Sequence, residues 1–62
     1  MGQRTKPWAV IIDDERTEYR SKTAAYAAVN PARDAGQAVR VEEWDSSRDE
    51  WAHYESHNIV GA

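Results

Sequence analysis

The chain has 62 residues, a formal net charge of −3, 40% hydrophobic residues and no cysteine. This length accommodates one domain, which excludes multidomain enzymes and large cofactor-binding folds. The lack of cysteine excludes disulfides, thiolate zinc sites, iron–sulfur clusters and thiol catalysis. The apolar residues are mostly small, with ten Ala, five Val and three Ile but no Leu or Phe, so we expect a thin core that favours association with a partner.

The distribution of charge argues against duplex DNA as a partner. Residues 1–22 carry five basic and four acidic side chains, whereas residues 23–62 carry three basic and seven acidic ones. Proteins that bind duplex DNA gain most of their affinity by neutralising phosphates.

No stretch approaches the roughly 20 apolar residues of a membrane span, and the N-terminal segment is too short and acidic for a signal peptide. We therefore expect a cytoplasmic protein without a membrane anchor.

The first predicted element is a β-strand over residues 6–13, where β-branched side chains dominate and the pattern alternates. The large apolar side chains that share one face of this strand are Trp8, Val10 and Ile12.

A second strand over residues 17–21 is predicted to complete a hairpin whose tip is residues 14–15. In this register Val10 lies opposite Tyr19 and Ile12 lies opposite Thr17. Tyr19 then shares a face with the large apolar side chains of the first strand.

An alanine-rich segment from residue 22 predicts a helix, with Ser21 as its N-cap. A shallow apolar stripe follows helical spacing and comprises Ala25, Ala28, Val29 and Ala32. Pro31 lacks a backbone donor and disfavours helical angles at Asn30. Either the helix kinks at Pro31, or Asn30 caps a new turn that Gly36 ends. We expect one interrupted helical segment over residues 22–35.

A second hairpin is predicted from two alternating runs, residues 38–44 and 50–56. One register brings three compatible pairs onto one face: Trp44 with Trp51, Glu42 with His53, and Arg40 with Glu55. The opposite face then supplies further candidate core residues: Val39, Val41, Ala52 and Tyr54.

The predicted fold is a two-layer α+β sandwich of order β-β-α-β-β, with one helix packed on an antiparallel sheet of two hairpins. The domain covers residues 7–56. Residues 1–6 are expected to form a flexible arm and residues 57–62 a flexible tail.

Over roughly residues 7–56, the chain resembles a family of small bacterial proteins catalogued as domain of unknown function 2188. The shared features are a tryptophan-bearing first strand (Trp8-Ala9-Val10), an aromatic residue before a Ser-Lys helix start (Tyr19-Arg20-Ser21-Lys22), an alanine-rich helix that ends Ala32-Arg33-Asp34-Ala35-Gly36, and Val39-Arg40-Val41. The resemblance implies this fold and no catalytic residues, since the family has no assigned activity.

Candidate chemical sites have ordinary structural explanations. His53, Glu55 and His57 alternate and carry donors that zinc accepts. Residues i and i+2 of a strand lie about 6.6 to 6.8 Å apart, so three ligands on one strand are too spread out. The acidic clusters at residues 13–15 and 45–50 are typical of hairpin loops. No phosphate-binding glycine pattern or local nucleophile setting is present. We expect no enzymatic activity, no catalytic residues, no metal and no cofactor.

The sheet face turned away from the helix is the strongest functional candidate. It is expected to expose two indoles and an isoleucine, and such a patch normally marks an interaction surface. The predicted interface residues are Trp44, Trp51, Ile11, His53 and Arg40.

The predicted function is that of a protein-interaction module, with a second copy of the chain or another protein as partner. The first alternative is a single-stranded nucleic-acid platform, in which the two indoles stack bases and three basic residues meet phosphates. These basic residues are Arg40, Arg20 and Lys22. The acidic residues expected on the same face would repel phosphates; they are Glu18, Glu42 and Glu55. The second alternative is a small acidic phage or mobile-element inhibitor of a host protein.

Overall fold

The computed structural model describes residues 4–59. Its elements follow the order β1 (Trp8–Ile12), β2 (Glu15–Tyr19), α1 (Lys22–Asp34), β3 (Val39–Asp45) and β4 (Glu50–His57). The α+β prediction is confirmed. Within the described range, no helix is long and apolar enough to cross a membrane.

The four strands form one antiparallel sheet of order β2-β1-β3-β4. Strand order could not be derived from the sequence, because either strand of each hairpin could have been central. The helix α1 packs mainly on β1, β2 and β3. Strand β4 therefore forms a sheet edge that lies largely outside the helix-covered area.

The first hairpin differs from its predicted register by two residues. Val10 lies opposite Thr17 rather than Tyr19, and Ile12 lies opposite Glu15 rather than Thr17. The turn residues are 13–14, two aspartates with φ of 49° and 74°. Two consecutive positive φ angles characterise the tight turn that matches strand twist. A shift of two residues keeps each side chain on its face, so Tyr19 still packs against the core.

The helix begins and ends as its flanking residues predict, but it is not interrupted. The Ser21 side chain accepts a hydrogen bond of 3.1 Å from the Ala24 backbone N–H. The helix runs continuously through Pro31 to Asp34, so the expected break at Pro31 is wrong. Because Pro31 lies in the last turns, the chain forgoes one internal hydrogen bond while the flanking turns continue. Gly36 follows the helix at φ 80°, an angle that glycine adopts without strain.

The core between helix and sheet is thin. Its buried cluster contains only Val and Ala side chains: Val10, Ala25, Val29, Ala32, Val39 and Val41. Ala28 of the predicted stripe is half-buried. Larger, partly buried side chains surround the cluster: Trp8, Ile12, Tyr19 and Tyr26. Four valines are the largest fully buried side chains in the described chain.

The second hairpin follows the predicted register at its turn end only. Trp44 lies opposite Trp51 and Glu42 opposite His53, but the register shifts between Val41 and Glu42. Val41 consequently pairs with Glu55, and Arg40 pairs with Ser56. The predicted pair of Arg40 with Glu55 is wrong.

The shift is a β-bulge that leaves Tyr54 as the extra residue on β4. After the bulge, Glu55 and His57 lie opposite Val41 and Val39, on the helix side of the sheet. Tyr54 is 41% exposed and Ala52 is also exposed, so their predicted place in the core is wrong. The cause is that the helix covers β1 to β3 and has little contact with this outer strand.

Candidate interaction surface

The sheet face opposite the helix, here called the open face, is assembled from alternate residues of all four strands. Strand pairing places its residues in three rows: Arg16, Ile11, Arg40 and Ser56; Glu18, Ala9, Glu42 and His53; and Trp44 and Trp51. All five predicted interface residues therefore lie on this face. They divide between an indole pair and a neighbouring depression.

The indole pair consists of Trp44 and Trp51, whose ring centroids lie 5.3 Å apart at an interplanar angle of 76°. This edge-to-face arrangement is favoured by the ring quadrupoles. The guanidinium group of Arg4 lies 4.9 Å from the Trp44 ring and 5.2 Å from the Trp51 ring. Arg16 lies 4.6 Å from the Trp51 ring. Both indoles are half-buried, because arginines cover part of them.

Carboxylates hold these arginines in place. Arg16 Nη1 donates a hydrogen bond of 2.9 Å to Glu42 Oε1, and Arg16 Nε lies 3.8 Å from Glu18. Arg4 also approaches Glu18 at 3.4 Å. The Arg16–Glu42 pair joins β2 to β3 across β1. Ala9, which β1 contributes to the middle row, is fully buried. A polar layer thus covers the centre of the open face.

Beside this layer lies an open depression of about 520 Å³. Its walls combine apolar, basic and acidic groups: Ile11, Ala38, Ile59, Arg40, His53, Ser56, Asp13 and Asp14. Ile59 is 48% exposed, so apolar surface is accessible here. His53 Nε2 lies 3.1 Å from Ser56 Oγ, so these two side chains of β4 contact each other.

The charged groups that line the depression differ in whether they form hydrogen bonds or ion pairs within the chain. Asp13 accepts hydrogen bonds from the Gln37 side chain and the Ala38 backbone N–H. Within residues 4–59, Arg40 and Asp14 are both exposed and form no ion pair. They are a cation and an anion of one depression that remain available to a partner.

A second polar cluster lies on the helix side of β4. Tyr26 donates a short hydrogen bond to Glu55 Oε1, and this bond, with smaller effects from His57 and Lys22, lowers the pKa of Glu55 below its ordinary value. Burial and the same bond raise the pKa of Tyr26. Lys22 Nζ donates to Tyr54 Oη at 2.7 Å, which raises the pKa of Lys22. These bonds attach the helix to the outer strand by side chains.

The bulge separates the three residues whose alternation raised the question of zinc. His53 lies on the open face, whereas Glu55 and His57 lie on the helix side, with His57 Nε2 3.5 Å from Glu55 Oε1. Across residues 4–59, no group of three or more His, Cys, Asp or Glu side chains is arranged to hold a metal ion.

Sequence reasoning missed the arginines that cover the indoles. Arg16 alternates with Glu18 on β2, and that spacing could have placed both on the open face. The contact between Arg16 and Trp51 joins strands that are not neighbours, so hairpin registers alone do not show it. Arg4 precedes the first strand, where no alternation exists to place it.

Comparison with models of known protein families, with curated proteins and with solved structures finds no match for this chain. The resemblance to domain of unknown function 2188 therefore stays a prediction. The geometry of the open face is the basis for a functional proposal.

Proposed function

We propose that the protein is a non-enzymatic interaction module that associates with a second copy of itself through the open face. The core of the fold contains only Val and Ala side chains. The opposite side of the same sheet carries an indole pair and a depression with accessible apolar surface, and this contrast is the observation that carries the proposal. A second copy would bury apolar area that one chain cannot enclose.

The dimensions of the molecule support a standard interface. The molecule extends 37 × 24 × 15 Å along its principal axes, so its broad face can accommodate the roughly 800 Å² per partner of typical stable interfaces. Aromatic and arginine side chains are enriched in such contacts. Trp51 and Arg16 supply this combination on the open face.

The nucleic-acid alternative has weaker support. Base stacking needs free aromatic faces, whereas Arg4 and Arg16 already lie over the indoles. Glu18 and Glu42 lie between these groups and would repel phosphates. Lys22, one of the three basic residues assigned to phosphate binding, instead bonds Tyr54 on the helix side.

The test compares two aromatic truncations on one strand. Trp51→Ala removes an indole from the open face, and Tyr54→Ala removes an exposed ring from the helix side of β4. We expect Trp51→Ala to shift the mass measured by light scattering toward the monomer, whereas Tyr54→Ala remains a dimer. Circular dichroism on both variants shows whether they fold. Equal dimerisation of the two folded variants would contradict the proposed face.

A further inference from the structure

The open-face depression contains complementary charges that a twofold-related copy could satisfy. Arg40 lies directly opposite Ile11 in the β1–β3 pairing. Asp14 lies three residues beyond Ile11, in the turn that ends the same strand. Among residues 4–59, the depression therefore carries a cation and an anion without an ion-pair partner, and the apolar side chain of Ile11 belongs to the same lining.

Such an arrangement is self-complementary under twofold symmetry. In a twofold contact, if residue i of one chain meets residue j of the other, then j also meets i. An axis in the plane of the contact, above Ile11 and across the line from Arg40 to Asp14, brings each guanidinium over the carboxylate of the other chain. It also brings the two Ile11 side chains together.

We propose, on the basis of the self-association proposed above, that Arg40 of each chain pairs with Asp14 of the second copy. The contact forms two symmetry-related ion pairs around an apolar centre made by Ile11 and Ile59. The indole pair lies two rows away on the same face, within the width of an ordinary interface.

The backbone conformation at Asp14 supports an ion pair between its carboxylate and a second copy of the chain. Its φ of 74° places it in the left-handed region, where Asn, Asp and Gly are favoured. Asp13, the other turn residue, uses its carboxylate within the chain. Asp14 forms no such bond in the described range, and the turn holds it at the rim of the depression.

A double-mutant cycle on the dimer dissociation constant tests this pairing. The variants are Arg40→Gln, Asp14→Asn and the double substitution; asparagine also tolerates the left-handed angle at position 14. We expect each single change to weaken the dimer about tenfold at low salt, and the double variant to be within about twofold of either single variant, since the same pairs are lost. Wild-type affinity should also fall as salt rises.

The matched controls are Arg48→Gln and Asp49→Asn, in the turn between β3 and β4. Asp49 also has a positive φ, of 57°, and Arg48 pairs only weakly with nearby acids at 3.7 to 3.9 Å. These changes should leave dimerisation unchanged. If the wild-type chain is a monomer, the proposed function itself fails. If it dimerises but Arg40→Gln and Asp14→Asn have no effect, the pairing is wrong and a different surface forms the dimer. If their effects add fully, both residues contribute to the contact without pairing with each other, and the pairing is again wrong.

Discussion

At the scale of single residues, stability depends on a few small buried side chains. Val41 is fully buried and lies opposite Val10 at the centre of the sheet. The burial of Val41 was predictable from alternation, because Val39 and Val41 share the apolar face of their strand. The exposure of Tyr54 was not predictable from alternation, because alternation assigns a side chain to a face of the sheet but does not show which strands the helix covers.

Truncation of Val41 tests the core directly. We expect Val41→Ala to destabilise the protein by on the order of 1 to 3 kcal/mol, because it leaves a cavity among side chains too small to refill it. Urea unfolding of the variant measures this loss. Thr23→Ala, on the exposed side of α1, is the control and should stay within about 0.5 kcal/mol of the wild type. An unchanged unfolding midpoint for Val41→Ala would contradict the position of the core.

The hydrogen bond from Tyr26 to Glu55 predicts a pH-dependent contribution to stability. The pKa of Glu55 is lowered in the folded state from an ordinary value of 4.5. Its stabilising effect is therefore present above that pH and is lost as the pH falls through the lower, folded-state pKa. We expect Tyr26→Phe to lower the melting temperature at pH 7, and the difference from the wild type to shrink below pH 4.5.

Tyr19→Phe is the control for this experiment. Tyr19 is also partly buried against the core, and its hydroxyl forms no hydrogen bond within residues 4–59. Its removal should give a difference from the wild type that does not depend on acid pH. A Tyr26→Phe effect that is constant from pH 7 to pH 3 would contradict this prediction, because it would show that the contribution of the hydroxyl does not depend on the charge of Glu55.

At the scale of secondary-structure elements, the residues at helix caps and turns determined which element boundaries and registers could be predicted from the sequence. Ser21 was predictable as an N-cap because its hydroxyl suits the free N–H groups of a first turn. The Asp13–Asp14 turn gave a weaker signal than the Asn-Gly pair typical of such hairpins, which explains the register error of two residues. The helix bounds were predictable to within one residue, although its continuity through Pro31 was not.

The N-cap prediction has a simple test. We expect Ser21→Ala to cost about 1 kcal/mol of unfolding free energy, because the Ala24 N–H loses its side-chain acceptor. Ser46→Ala, at an exposed position in the β3–β4 turn, should have little effect. Equal stability of the two variants would argue against the cap.

Pro31 provides a test of helix continuity. Substitution by alanine restores a backbone donor to a helix that already runs through this position. We expect Pro31→Ala to stabilise the protein by on the order of 1 kcal/mol, less than the roughly 3 kcal/mol cost of an interior proline, because proline also restricts the unfolded chain. Destabilisation in urea unfolding would contradict this prediction.

At the scale of the whole molecule, the helix packs on three of the four strands. In the described residues no helix covers the opposite face of the sheet, and the side chains of the strands form that surface. The sequence placed all five predicted interface residues on that face, because a hairpin register determines which residues share a side. It could not show that arginines cover the indoles or that Arg40 and Asp14 share one depression. Those contacts depend on strand order and on the first turn, which short-range patterns do not specify.

The mass of the unmodified chain in solution tests the proposed self-association most directly. Sedimentation equilibrium at several concentrations up to about 100 μM covers dissociation constants in the micromolar range. The proposal predicts a mass that rises toward twice the 7.1 kDa of one chain. A mass that stays at 7.1 kDa throughout this range would contradict it.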